Sequence, residues 1–139
     1  MHKWERALAL TVLANAVIGM AATMVDIASS PAMVGMLWFS LVVAAIGTAA
    51  GVSMVRGRLA GFVGGVLTGA SQIVSYFPYN GVWSFNVRPG ISLCLTTYWP
   101  SGVILVNAVA AVTVTASIAI VAERIISAYA AKSEPRHRV

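Results

Sequence analysis

The side chains best suited to acid–base, nucleophilic or metal chemistry are few and widely spaced. The acids are Glu5, Asp26, Glu123 and Glu134, the histidines are His2 and His137, and the one cysteine is Cys94. The two histidines sit at opposite ends, so neither has a ligand partner at haem or zinc spacing. A lone cysteine makes no internal disulfide and no multi-cysteine metal site, and Cys94 reads as a small hydrophobe. The sequence contains no phosphate-binding loop, G-x-S-x-G elbow or H-E-x-x-H pattern. No hydroxyl or thiol has a recognisable base and orienting partner. The expectation is a non-catalytic chain with no cofactor and no metal. Glu123 and Arg124 are adjacent, so on a helix they point about 100° apart. They are expected to mark a membrane interface, with Glu123 facing a neighbouring subunit as the functional alternative. Asp26 and Arg88 fall at similar expected depth and are candidates for a pair.

The elements that position these groups follow from composition. The chain is 59% hydrophobic and 9% charged, with net charge +5. A soluble domain has about 25% charged residues, so the expected solvent for most of this chain is lipid. The positive charge lies between apolar segments and at the ends, which excludes a nucleic-acid surface. Four segments reach the roughly 20 apolar residues needed to cross a bilayer: about 7–27, 32–55, 59–77 and 101–124. The run after His2–Arg6 is too long for the apolar region of a signal peptide and carries Glu5 in its flank, so it reads as a true span. The expected fold is all-α: a single membrane domain, residues 1–139, forming an antiparallel four-helix bundle with a cytoplasmic tail at 125–139. Eight of the nine basic residues, all but Arg88, fall on one side of such a bundle. The positive-inside rule then places both termini in the cytoplasm. High alanine and more arginine than lysine suggest a prokaryotic cytoplasmic membrane.

The third connection, residues 78–100, is the long one. Its sequence VWSFNV-RPG-ISLCLTTYW sets two β-prone runs about a Pro-Gly turn, which predicts a hairpin or hairpin-like lid over the outer ends of the helices. Arg88 reads as a solvated turn residue, or as a site for an anion or lipid headgroup. Tyr76, Phe77, Tyr79, Tyr98 and Trp99 gather at this outer edge, and Trp4 and Tyr129 at the inner one, as interfacial aromatics do.

Two sets of residues remain. Gly57, Gly61, Gly65 and Gly69 recur at every fourth position and so share a helix face without side chains. In lipid, close backbone approach substitutes for a hydrophobic driving force. Gly47 and Gly51, in GTAAG of the second span, are the expected matching surface. Thr11, Asn15, Ser71, Gln72, Asn107 and Thr115 are the candidate interhelical clamps, or the lining of a polar path. Depth counting puts Gln72 level with Asn107, and Thr11 level with Thr115. No ionisable residue lies near the expected midplane, which disfavours ion-coupled pumping. The functional expectation is an accessory or assembly subunit within a larger membrane complex, in contact with lipid and with other subunits or copies of itself. The charged tail KSEPRHRV is a candidate contact surface. The alternative is a homo-oligomeric channel or facilitative transporter with the glycine face at the subunit contact. A third reading binds an apolar molecule between helices beneath the outer lid.

Overall fold

The computed structural model describes residues 1–29, 34–81, 87 and 90–133, with backbone alone for 34–36. The order is α1 (Lys3–Ser29), α2 (Val34–Val55), α3 (Leu59–Ala70), β1 (Val74–Pro78), β2 (Cys94–Trp99), β3 (Gly102–Asn107) and α4 (Ala108–Ser133). Three helices are long and apolar enough to cross a membrane: Lys3–Ser29, Leu37–Val55 and Ala108–Ser133. The fold is therefore mostly helical with a small sheet, rather than all-α.

The third expected span departs most from its sequence reading. Its helix covers Leu59–Ala70, 12 residues, and stops short of Phe77. Ser71 ends it in αR geometry, its amide reaching the Leu67 carbonyl and its hydroxyl donating to Thr68 O at 2.7 Å. The following Ile-Val-Ser-Tyr-Phe is β-branched and aromatic, and takes the extended state once a partner strand is present. That partner comes from the expected fourth span. Gly102–Asn107, GVILVN, forms β3 instead of the first turns of a helix, and α4 begins only at Ala108. Asn107 caps that helix, its Oδ1 accepting from the amides of Val109 at 3.1 Å and Ala110 at 3.4 Å.

The sheet order is β1-β3-β2, antiparallel throughout. Val74 faces Val106 and Pro78 faces Gly102 on one side of β3; Cys94 faces Asn107 and Trp99 faces Gly102 on the other. The second run of the expected hairpin thus becomes β2, but its partner is β3, reached through Pro100 and Ser101. The first run lies outside the described residues except for Val87, which is buried; Arg88 and the end of the tail, residues 134–139, lie outside them as well.

Below the sheet the helices pack as neighbours in chain order. Every glycine of the series on α3 except Gly57 meets this chain's own helices. A Cβ on Gly61 would strike the Met54 amide and lie 2.7 Å from Ser53 C. At Gly65 it would meet Met54 Sδ at 3.2 Å, and at Gly69 Val114 Cγ2 at 2.6 Å. Gly57 has φ +71 with open space around it, the backbone turn between α2 and α3. Gly47 and Gly51 turn chiefly to α1, with a Cβ at Gly51 only 2.8 Å from Leu13 Cα. The surface of α2 that receives Gly61 is therefore Ala50 of GTAAG with Ser53 and Met54, while Gly47 and Gly51 themselves lie chiefly against α1. Ala9, Val12, Met54, Phe62 and Ile120 close the core toward the α2–α3 turn.

Candidate functional site

Polar side chains collect at the level where helix gives way to strand. Asn15, half-way along α1, donates from Nδ2 to Gln72 Oε1 at 3.0 Å. Its Oδ1 accepts the Ile91 amide, tying the segment before β2 to α1. Gly90 makes that approach feasible: a Cβ there would fall on the Asn15 carbonyl and within 2.7 Å of the Gly19 amide. Asn15 thus joins α1 to the α3–β1 turn and to the outer segment at once.

Beneath this pair lies a small cavity of about 20 Å³. Its polar lining is Thr11 and Asn15 from α1, Thr68 and Gln72 from α3 and the turn after it, and Thr113 from α4; Gly47, Gly65 and Gly69 leave the room. Of the six polar residues singled out by sequence, the structure brings Thr11, Asn15 and Gln72 together here. Ser71 is turned to its own helix carbonyl. Asn107 caps α4 and makes no bond to Gln72. Thr115 is exposed on the outer face of α4, bonded to Ala111 O at 2.9 Å. Only Asn15 and Gln72 make a side-chain clamp between elements. Thr68 and Thr113 belong to the site and escaped the sequence reading; their spacing of four and three residues from Gln72 and Ala110, on the faces that carry the site, is the signal that would have found them. Two buried atoms nearby have no partner: Asn107 Nδ2 and Ser117 Oγ.

A second polar cluster closes the opposite end. Arg124 donates from Nη1 to Gly57 O at 2.7 Å and from Nη2 to both Glu5 oxygens at 3.3 Å. Its guanidinium lies 4.7 Å from the Phe62 ring centroid. Glu5 also accepts the His2 amide at 2.9 Å. One arginine therefore joins α1, the α2–α3 turn, α3 and α4. In the sequence Glu5 stands in the charged flank of the first apolar run. Its position in the buried stripe Glu5, Ala9, Val12, Ala16, Gly19, Thr23, alternating steps of four and three, places it on the packed face of α1. Glu123, by contrast, is exposed.

Among the described residues, no group of three or more His, Cys, Asp or Glu gathers at metal-binding distance. Cys94 is exposed on β2. No known protein family, curated protein or solved structure matches this chain.

Proposed function

We propose that this chain is a non-catalytic integral membrane protein that serves as an accessory or assembly subunit, with both termini in the cytoplasm of a prokaryotic cell. Basic residues support the orientation. Arg6, Arg56, Arg58 and Arg124 share the level of the α2–α3 turn, and Arg6 to Asp26 along α1 spans about 30 Å, the thickness of the hydrocarbon core. The third crossing, that of α3 and β1, is composite. The 12 residues of α3 rise about 18 Å, and the 5 residues of β1 add about 17 Å. The inner part of the sheet then lies at lipid depth, with Tyr98 and Trp99 toward the outer interface.

The observation that carries the subunit reading is β2. All six of its residues are exposed, Leu95 by 65% and Tyr98 by 75%, so among the described residues nothing covers either face. The bond from the Ala108 amide to Leu93 O fixes the alternation along the ladder. Leu95, Thr97 and Trp99 therefore turn their backbone groups to β3, and Cys94, Thr96 and Tyr98 turn theirs to the free edge. The opposite edge strand ends in Pro78, which removes a donor. Among the described residues no strand pairs with the outer edge of β2; that edge carries neither proline nor charge, and in lipid an open edge of that kind requires a partner. A photo-crosslinking residue at position 96, activated in native membranes, tests this. A discrete adduct with another membrane chain is expected; a protein that stays monomeric and captures nothing sinks the proposal.

The channel alternative draws less support. It needs the glycine face at a subunit contact, and Gly61, Gly65 and Gly69 are each met by this chain's own helices.

A further inference from the structure

We infer that the cavity between α1, α3 and α4 is a hydrated site, occupied by ordered water that donates to threonine hydroxyls. The argument is an inventory of protons. Thr11 Oγ1 donates to Ala7 O at 3.0 Å, Thr68 Oγ1 to Gly64 O at 2.9 Å and Thr113 Oγ1 to Val109 O at 2.8 Å. A hydroxyl has one proton, so each of these three, from three different helices, offers the cavity only lone pairs. Gln72 Oε1 accepts from Asn15, which makes the Gln72 amide nitrogen the donor that this lining residue has left. The site is therefore rich in acceptors and holds a donor beside them. A molecule that both donates and accepts satisfies it, and an apolar filler does not.

Size selects water. About 20 Å³ exceeds the roughly 10–15 Å³ that one water requires and is too small for an organic ligand. Charge argues the same way. The lining contains no carboxylate, so a cation there would be an uncompensated charge in the membrane interior. Ser117, fully buried and without a partner, lies one helical turn beyond Thr113 and beside Gly65, 3.6 Å from where its Cβ would stand. It extends the polar surface inward, toward the apolar plug of Phe62 and Ile120. That plug bounds the site at its inner end, and Thr11, an exposed residue, borders it elsewhere. This inference is independent of whether the protein is a subunit of a complex.

The test is solid-state NMR transfer of magnetisation from water to side chains of the full chain in lipid bilayers. Strong transfer is expected at Thr68 and Gln72. Thr113→Val, which removes one acceptor, should reduce it several-fold at both positions. Thr115→Val, which deletes a hydroxyl with the same bond to its own helix but on the outer face, should leave it unchanged. Absence of transfer in the unmodified protein overturns the inference whether or not the variants fold. A thermal midpoint that rises with sodium chloride but not with choline chloride also overturns it, because the occupant would then be a cation.

Discussion

Gly61 and Gly65 belong to one series on one helix face, yet alanine should affect them in opposite ways. In a helix, Gly→Ala by itself gains about 1 kcal/mol. Against this stands what the new methyl meets. At Gly61 the neighbours are backbone atoms of α2: the Met54 amide, Ser53 C at 2.7 Å and Ala50 O at 2.9 Å. Backbone cannot rotate away, so α3 must move outward, and a gap of even 0.5–1 Å forfeits about a quarter to a half of each contact along the interface. Overpacking of this kind costs about 1–3 kcal/mol, and the rigid neighbours put Gly61→Ala at the upper end, for a net loss of about 1–2 kcal/mol. At Gly65 the methyl meets Met54 Sδ at 3.2 Å and Ser117 Oγ at 3.6 Å. Methionine is flexible and yields by a rotamer change, so Gly65→Ala should come out within about 0.5 kcal/mol of the parent or slightly better. The expected separation is about 2 kcal/mol, readable from reversible unfolding in mixed micelles followed by circular dichroism. Equal destabilisation by both, or a worse effect at Gly65, refutes the reasoning. It would mean that the groove is filled by another chain, and the size of the detergent-solubilised particle would fall in both variants.

Three further outcomes are expected. Arg124→Gln leaves Glu5, 6% exposed, as a buried carboxylate without its partner, at a cost of about 3 kcal/mol. Adding Glu5→Gln should recover more than half of it in a double-mutant cycle, whereas a purely steric role for Arg124 predicts no recovery. Asn15→Leu strands Gln72 Oε1 and the Ile91 amide. It should cost about 1–2 kcal/mol and increase protease cleavage between β1 and β2, measured in reconstituted vesicles; unchanged cleavage would show that Asn15 does not hold that segment. Thr96→Pro removes an edge amide that points away from β3. It should leave the unfolding midpoint close to that of the parent and abolish the adduct formed by a crosslinker at position 98, while a persisting adduct would exclude edge pairing.

The long helices were legible because span length and apolar composition are local properties: α2 lies within its expected segment, α1 overruns its own at both ends, and α4 starts later than expected and continues to Ser133, into the stretch expected to be tail. Where the helix gives way to strand was not legible. Ile73–Phe77 and Gly102–Val106 are as apolar as the helices they adjoin, and hydropathy counts them as the same span. Their β-branched and aromatic content was the contrary signal, but it becomes decisive only when two such runs meet, a contact between residues about thirty apart in sequence. The polar site was legible in part for the same reason. Asn15 and Gln72 stood out as amides in apolar runs, but their pairing depended on where α3 ends. Asn107, expected level with Gln72 as a clamp, became a helix cap once β3 was inserted before it.

That hand-over also accounts for why the polar groups gather where they do. Ending α3 at Ala70, at membrane depth on the proposed topology, breaks its ladder of backbone bonds, and the turn is secured by short-range substitutes: Gln72 N to Gly69 O at 2.9 Å and Ile73 N to Ala70 O at 3.3 Å. Asn107 N then reaches Ile73 O at 2.7 Å, and Ala108 N reaches Leu93 O at 2.8 Å, so strand pairing begins where helical bonding stops. Such a junction is tolerated at membrane depth only if protein surrounds it. Asn15, the Gly90–Ile91 backbone and the Asn107 side chain provide that enclosure from three directions. On this account the amides at the junction are primarily the structural requirement of a composite crossing. The threonine-lined cavity, one layer further in where all three helices are intact, is the part of the polar interior that the crossing itself does not require.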